Sequence, residues 1–367
     1  MNNTQNLEKA VIKKESKNKI RADFERSPLK ERLKARFLNL YFLGNIVWWI
    51  FRLVLLIGIS YIVLFPFLTK IAGSFMSPED FVDVTVRLIP KNFTLDIYKA
   101  VLFELDYWEA FTNTFLISFL GALFQTFICC LIGYGLAKFR FKGNTLVMML
   151  VILTMIVPHQ TLQLSMFMGF RYFDVLGILS FLSGGASVGF MPDSFNELLA
   201  GIQIIDLPDH GLALTNTYAP LIILSLTGLA FKNGLYIFML RQFFTGVPDA
   251  LEESAYIDGS GVFHTFFTII LPLSIPMMVT VFLFAFCWQW TDDFYTELFF
   301  TTSKITLMPD IVEVPTSLKT DYAGQNMYYT AIRNTCGLCI IMPLVVLYCF
   351  GQNFLVQGIE RSGLTAE

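Results

Sequence analysis

Residues Pro248–Pro276 read PDALEESAYIDGSGVFHTFFTIILPLSIP, a polar island inside an otherwise apolar half-chain. Pro248 suits a first helical position, where its missing N–H would be unpaired anyway. Asp249, Glu252 and Glu253 then place negative charge on the first turns, where it complements the helix dipole. Gly259 suits the end of this short helix because it takes a left-handed backbone at little steric cost. Asp258 or Ser260 can cap a second helix, whose apolar run passes through Phe263, Phe266, Phe267, Ile269 and Ile270. Pro272 and Pro276 bend that run as it continues. The pattern predicts a helical elbow between two long apolar stretches.

Working outward, the chain of 367 residues is 55% hydrophobic and only 15% charged. Its apolar residues come in blocks long enough to cross a bilayer, which a soluble core does not need. The expected fold is an all-α membrane protein with six transmembrane helices, at about 46–68, 111–137, 144–169, 217–243, 271–293 and 333–354. Residues 1–44 form a basic arm, 45–357 the membrane domain in contact with lipid, and 358–367 a tail. The arm lacks the short apolar core and cleavage site of a signal peptide. Its lysines and arginines place it in the cytoplasm, and Lys138, Arg140 and Lys142 mark the second return to that side. Six spans put both termini inside. Pro158 breaks a helical hydrogen bond, so the third span is expected to kink. Residues 171–216 form an extracytoplasmic extension. A net charge of −3 excludes a general attraction to nucleic acid.

The elbow also carries a resemblance. Glu253-Ser254-Ala255, Gly259, Ile269 and Leu271-Pro272 are similar to the EAA loop, the signature of the permease subunits of binding-protein-dependent ABC importers. Glu253 and Gly259 match its two most characteristic positions, and Ser254 stands where alanine is usual. Ile89-Pro90-Lys91-Asn92-Phe93-Thr94 resembles the I-P-x-x-x-T lead-in of the carbohydrate branch. Asn113-Thr114-Phe115, Tyr134-Gly135-Leu136-Ala137, Arg241-Gln242-Phe243-Phe244 and the tail Phe354–Ile359 also look like family positions, while Glu360–Glu367 departs from the usual basic ending. The resemblance implies the type I importer permease fold, with the loop at 245–270 as a cytoplasmic coupling helix. Glu252, Glu253, Ser254, Ala255, Asp258 and Gly259 would then meet an ATPase. It further implies a bacterial-type plasma (inner) membrane, a second related permease as heterodimer partner, two ATPase subunits and an extracytoplasmic solute-binding protein. Cofactors would be absent from this chain, with ATP and Mg on the ATPases.

The fifth predicted span ends in Trp288-Gln289-Trp290-Thr291-Asp292-Asp293-Phe294-Tyr295, alternating rings with hydrogen-bonding groups. Sugars present both needs, apolar C–H faces and hydroxyls, so Trp288, Gln289, Trp290, Asp292, Asp293 and Tyr295 are candidates for a substrate passage. An interfacial aromatic belt would show the same residues. Lys232, near the middle of the fourth span, either lines the passage or pairs with a buried polar group, Asp292 and Asp293 being the candidates. His159 either touches substrate or pairs with a carbonyl freed beside Pro158. No G-x-x-x-x-G-K-[ST] phosphate loop is present, and His159, His210 and His264 lack metal-ligand spacing. Cys336 and Cys339 form a C-x-x-C with no second pair, which reads as buried packing. An enzyme is therefore disfavoured, and the resemblance implies a non-catalytic function: half of a translocation pathway for a sugar or oligosaccharide. The alternative is an ion-gradient-driven secondary transporter or channel, suggested by Lys232, Asp292 and Asp293 but lacking the internal repeat common in such folds.

Overall fold

The computed structural model describes residues 40–174, 212–301, 305–321 and 324–363, with side chains for all of these except 40–43 and 357–363. Most of the basic arm, most of the extension predicted over 171–216 and residues 364–367 lie outside the described residues. Among the described residues the structure is helix and loop, with isolated β-bridges only at Met76–Phe93 and Phe173–Leu212. Packing divides the chain into two units, 1–69 and 70–367, the division falling within helix α1, Leu40–Gly73. In the first unit α1 is apolar along its length. The Arg52 guanidinium lies 5.0 Å from the Trp48 ring centre, so the charge rests on an aromatic face.

The second unit is organised on α3, Tyr107–Lys138, which follows the short α2, Asp96–Glu104. At 1.5 Å per residue α3 is about 48 Å long, more than the hydrocarbon core of a bilayer requires. It packs against α6 (Ala219–Thr227), α7 (Asn233–Thr245) and α9 (Val262–Trp290). Small residues allow this. A Cβ on Gly133 would lie 2.9 Å from the Leu240 Cβ and 3.0 Å from the Arg241 backbone nitrogen, so only glycine lets α3 and α7 approach this closely. The largest core cluster gathers Tyr134, Tyr236, Leu240, Phe244, Met277, Trp290 and Ile332. A smaller one joins Phe170, Leu221, Leu224, Tyr295 and Phe299. Asn113 Nδ2 donates to the Thr306 carbonyl at 3.1 Å and the Met308 N–H donates to Thr114 Oγ1 at 2.9 Å, fastening the loop before α11 (Gln325–Gly363).

Among the described residues four helices are long and apolar enough to cross a membrane: α1, α3, α9 and α11 over Gln325–Val356. The third predicted span does more than kink. Helix α4 (Asn144–Ile156) stops before Pro158, and the chain turns by 95° into the His159–Leu162 turn and α5 (Gln163–Arg171). The fourth predicted span, expected as one helix over 217–243, is two. Gly228 (φ +74°) ends α6 and Lys232 (φ +65°) precedes α7, and neither left-handed residue continues a right-handed helix. The break leaves the Phe231 carbonyl without a helical donor. Gln125 of α3 supplies one, its Nε2 donating at 2.7 Å and also reaching Asn233 Oδ1.

Helix α9 starts earlier than the predicted 271 and ends before 293. It runs from Val262 through a π-turn at Phe266–Ile270 and absorbs Pro272 and Pro276. The π-turn lies immediately before Pro272, whose missing N–H cannot close the preceding α-turn. In α11, Pro343 leaves the Cys339 carbonyl unpaired four residues earlier. The Tyr107 hydroxyl donates to it at 3.1 Å, and Trp290 Nε1 donates to the neighbouring Ile340 carbonyl at 2.9 Å.

Candidate functional site

Two places bring the predicted residues together. The first is the elbow, α8 (Ala250–Ile257). Asp249 is its N-cap and Ala250 its first residue, so Pro248 lies two residues before the first helical position expected for it. The end of the helix follows expectation: Gly259 has φ +82°, its N–H meets the Tyr256 carbonyl at 3.1 Å, and the Ser260 N–H meets the Ala255 carbonyl at 2.9 Å. This is a Schellman closure, which consumes carbonyls the helix would otherwise leave open. Neither Asp258 nor Ser260 caps the next helix. Gly261 occupies that position, its carbonyl accepting the Thr265 N–H, while the Ser260 hydroxyl accepts from Thr265 Oγ1 at 3.1 Å.

Three residues apart, Glu252 and Ala255 share the inward face of α8 and are buried. Glu253, Ser254, Asp258 and Gly259 are exposed. Ile257 and Phe263, at 86% and 81% exposure, leave two large apolar side chains open beside them. Lys138, at the last turn of α3, holds the start of the elbow. Its side chain is 6% exposed, and Nζ donates to the Val247 carbonyl at 2.6 Å and to Asp249 Oδ1 at 2.5 Å. That contact draws the exposed Asp249 carboxyl below its ordinary value. Burial pushes the Glu252 carboxyl up, with Lys138 pulling in the opposite direction. The Glu252 carboxyl faces the Tyr134 hydroxyl of α3 and interacts with it electrostatically.

The second place is where three chain breaks meet. Phe231, in the break between α6 and α7, has its ring centre 4.7 Å from His159, 5.5 Å from Trp288 and 6.3 Å from Tyr295. The Lys232 ammonium stands 4.6 Å from the Phe231 ring centre and 4.9 Å from that of Trp288. Four predicted pathway residues, His159, Lys232, Trp288 and Tyr295, are thus gathered round a phenylalanine that sequence reasoning did not single out. Lys232 does not pair with Asp292 or Asp293, as the sequence suggested it could. Asp292 instead caps α10 (Phe294–Phe299), Oδ2 accepting the N–H groups of Tyr295 at 2.8 Å and Thr296 at 3.3 Å. Asp293 is exposed, and its carbonyl accepts the Glu297 N–H.

The remaining candidates lie apart from that ring cluster. Trp290 is fully buried, stacked on Phe286 with centres 5.6 Å apart and bonded to α11. Gln289 lines a narrow crevice with Thr114, Leu221, Asp292 and Thr296. Sequence reasoning also missed Gln125 and the structural part of Lys138. A polar residue within an apolar span was the available signal for Gln125. Among the described residues no three of His, Cys, Asp and Glu gather as a metal site.

Against known proteins, the profile of the family described as "Binding-protein-dependent transport system inner membrane component" matches residues 129–361. The arabinooligosaccharides transport system permease protein AraQ of Halalkalibacterium halodurans is 24% identical over 309 residues, 83% of this chain and 92% of that one. The polygalacturonan/rhamnogalacturonan transport system permease protein YtcP of Bacillus subtilis is 25% identical over 311 residues, 83% and 93% of the two chains. A chain from the crystal structure of a bacterial ABC transporter involved in import of the acidic polysaccharide alginate superposes with a TM-score of 0.59. It is 17% identical, and the match covers 84% of this chain and 97% of that one.

Proposed function

Given that this chain belongs to the family of binding-protein-dependent transport system inner membrane components, we propose that it forms half of the translocation pathway of an ATP-driven importer of a sugar or oligosaccharide. The saccharide reading draws on the cargoes for which relatives such as AraQ and YtcP are named, arabinooligosaccharides and polygalacturonan/rhamnogalacturonan. A second permease completes the pathway, two ATPases bind ATP and Mg beneath it, and a solute-binding protein delivers cargo from outside. The chain lies in the plasma (inner) membrane with both termini cytoplasmic. Six crossings are counted by taking the broken pairs α4–α5 and α6–α7 as one span each.

The observation that carries this reading is the two-sided elbow. One face of α8 is buried through Glu252 and Ala255, and Lys138 ties its start to α3. The other side leaves Glu253, Ile257 and Phe263 open to a partner. As a coupling helix it transmits ATPase closure to α3, and through α3 to the helix breaks round Phe231. The spans then alternate between inward-facing and outward-facing states, shifted only by the difference in contacts between the two. An ion-gradient-driven transporter is less well supported, since Lys232 forms no ion pair with Asp292 or Asp293.

The test is co-purification. The native chain should bring down an ATPase from the membrane, and Glu253→Arg should reduce its recovery by about tenfold, as expected when a like or unpaired charge is forced into an interface. Normal uptake by the Glu253→Arg protein, with its ATPase still attached, would remove the coupling role.

A further inference from the structure

Lys232 is the one member of the Phe231 cluster that recognition of a neutral sugar leaves unexplained. An ammonium among membrane helices costs ~2.5–3.5 kcal/mol on insertion scales. Such groups ordinarily meet a carboxylate. Among the described residues the ion pairs are Lys91–Asp83, Lys99–Asp96 and Lys138–Asp249, and Lys232 takes part in none. Its Nζ donates no hydrogen bond to any described group, and it lies instead against the rings of Phe231 and Trp288. Ring faces attract the cation but leave its three N–H donors unused.

The backbone points the same way. Lys232 sits at φ +65°, a conformation glycine would hold with less strain, and residues kept in such states cluster at ligand sites. Gln125 anchors the break from the α3 side, so the position of the ammonium is built into the fold. The Tyr295 hydroxyl, on a ring packed in the same cluster, is also buried without a partner. A fixed, unspent positive charge between two exposed or half-buried rings therefore stands where the proposed pathway runs.

We infer that the cargo is an anionic saccharide, whose C–H face lies against Trp288 or Phe231 and whose acidic group accepts hydrogen bonds from Lys232. This rests on the pathway reading of the cluster. Carboxylate and sulfate groups present the same charge and acceptor oxygens, and the experiment separates them.

The complete importer, with its companion permease, ATPases and binding protein, is reconstituted in liposomes. It is given a mixture of oligogalacturonates, sulfated galactan oligosaccharides and neutral malto- and xylo-oligosaccharides, and the accumulated cargo is identified by mass spectrometry. One of the charged classes should accumulate. Lys232→Gln should lower its uptake by about tenfold or more, the scale of a lost charge-assisted hydrogen bond, while Lys232→Arg retains most of it. Accumulation of neutral cargo alone would overturn the inference, as would undiminished uptake of the charged cargo by Lys232→Gln. A loss in Trp288→Ala without a loss in Lys232→Gln would leave the cluster in the pathway and remove only the anionic cargo. If neither variant changes uptake, or no saccharide accumulates, the pathway reading falls as well.

Discussion

Glu252 shows how one residue can carry a measurable signature of the elbow. Burial raises its carboxyl above the ordinary value of 4.5. The folded state therefore holds the proton more tightly than the unfolded chain, and the resulting stability is present in full below pH 4.5. It is lost as pH rises through the folded value. Glu252→Gln cannot ionise. Its melting temperature relative to the native protein is expected to rise as pH increases from 4 to 7, followed by thermal unfolding in detergent. A parallel pH dependence in the two proteins would show that Glu252 is not held at cost. Little of this was legible in sequence. Glu252 and Glu253 are adjacent acids on one short helix, and only the position of α3 decides that one faces inward and the other outward.

Among the elements, α11 and the helices beside it show how prolines are accommodated. Pro343 orphans the Cys339 carbonyl and Tyr107 of α3 supplies the missing donor. Tyr107→Phe should cost about 0.5–1.5 kcal/mol, the net worth of one hydrogen bond. In a Pro343→Ala background, where the backbone N–H is restored, the same change should cost close to nothing. Additive losses in this double-mutant cycle, measured by thermal or denaturant unfolding, would dismiss the pairing. Long apolar blocks in the sequence overlap the helices α1, α3, α9 and α11, because hydropathy reports where a chain can lie in lipid. Hydropathy fared less well over 217–243. Apolar composition is continuous there, and the left-handed turn at Lys232 depends on support from Gln125 more than a hundred residues earlier.

For the whole molecule, the proposed topology puts the elbow inside and the segment between α1 and α3 outside. Val84 and Ile257 are exposed in the structure at 93% and 86%. In a Cys349→Ser background, which removes the exposed native thiol, a cysteine at Val84 should react with an impermeant maleimide in right-side-out vesicles. One at Ile257 should react only in inside-out vesicles. The reverse pattern would invert the protein and separate the elbow from any cytoplasmic ATPase.

The amino-acid sequence by itself determined that this is a helical membrane chain with an acidic elbow and a resemblance to importer permeases. Those properties follow from local composition and from short spacings, which need no partner elsewhere in the chain. Tertiary structure alone decided that Lys138 pins the elbow and that Asp292 caps a helix instead of neutralising Lys232. It also decided that His159, Lys232, Trp288 and Tyr295 converge on Phe231. Each of these depends on where a helix ends and which neighbour satisfies the groups it leaves open, a choice made by packing between segments far apart in sequence.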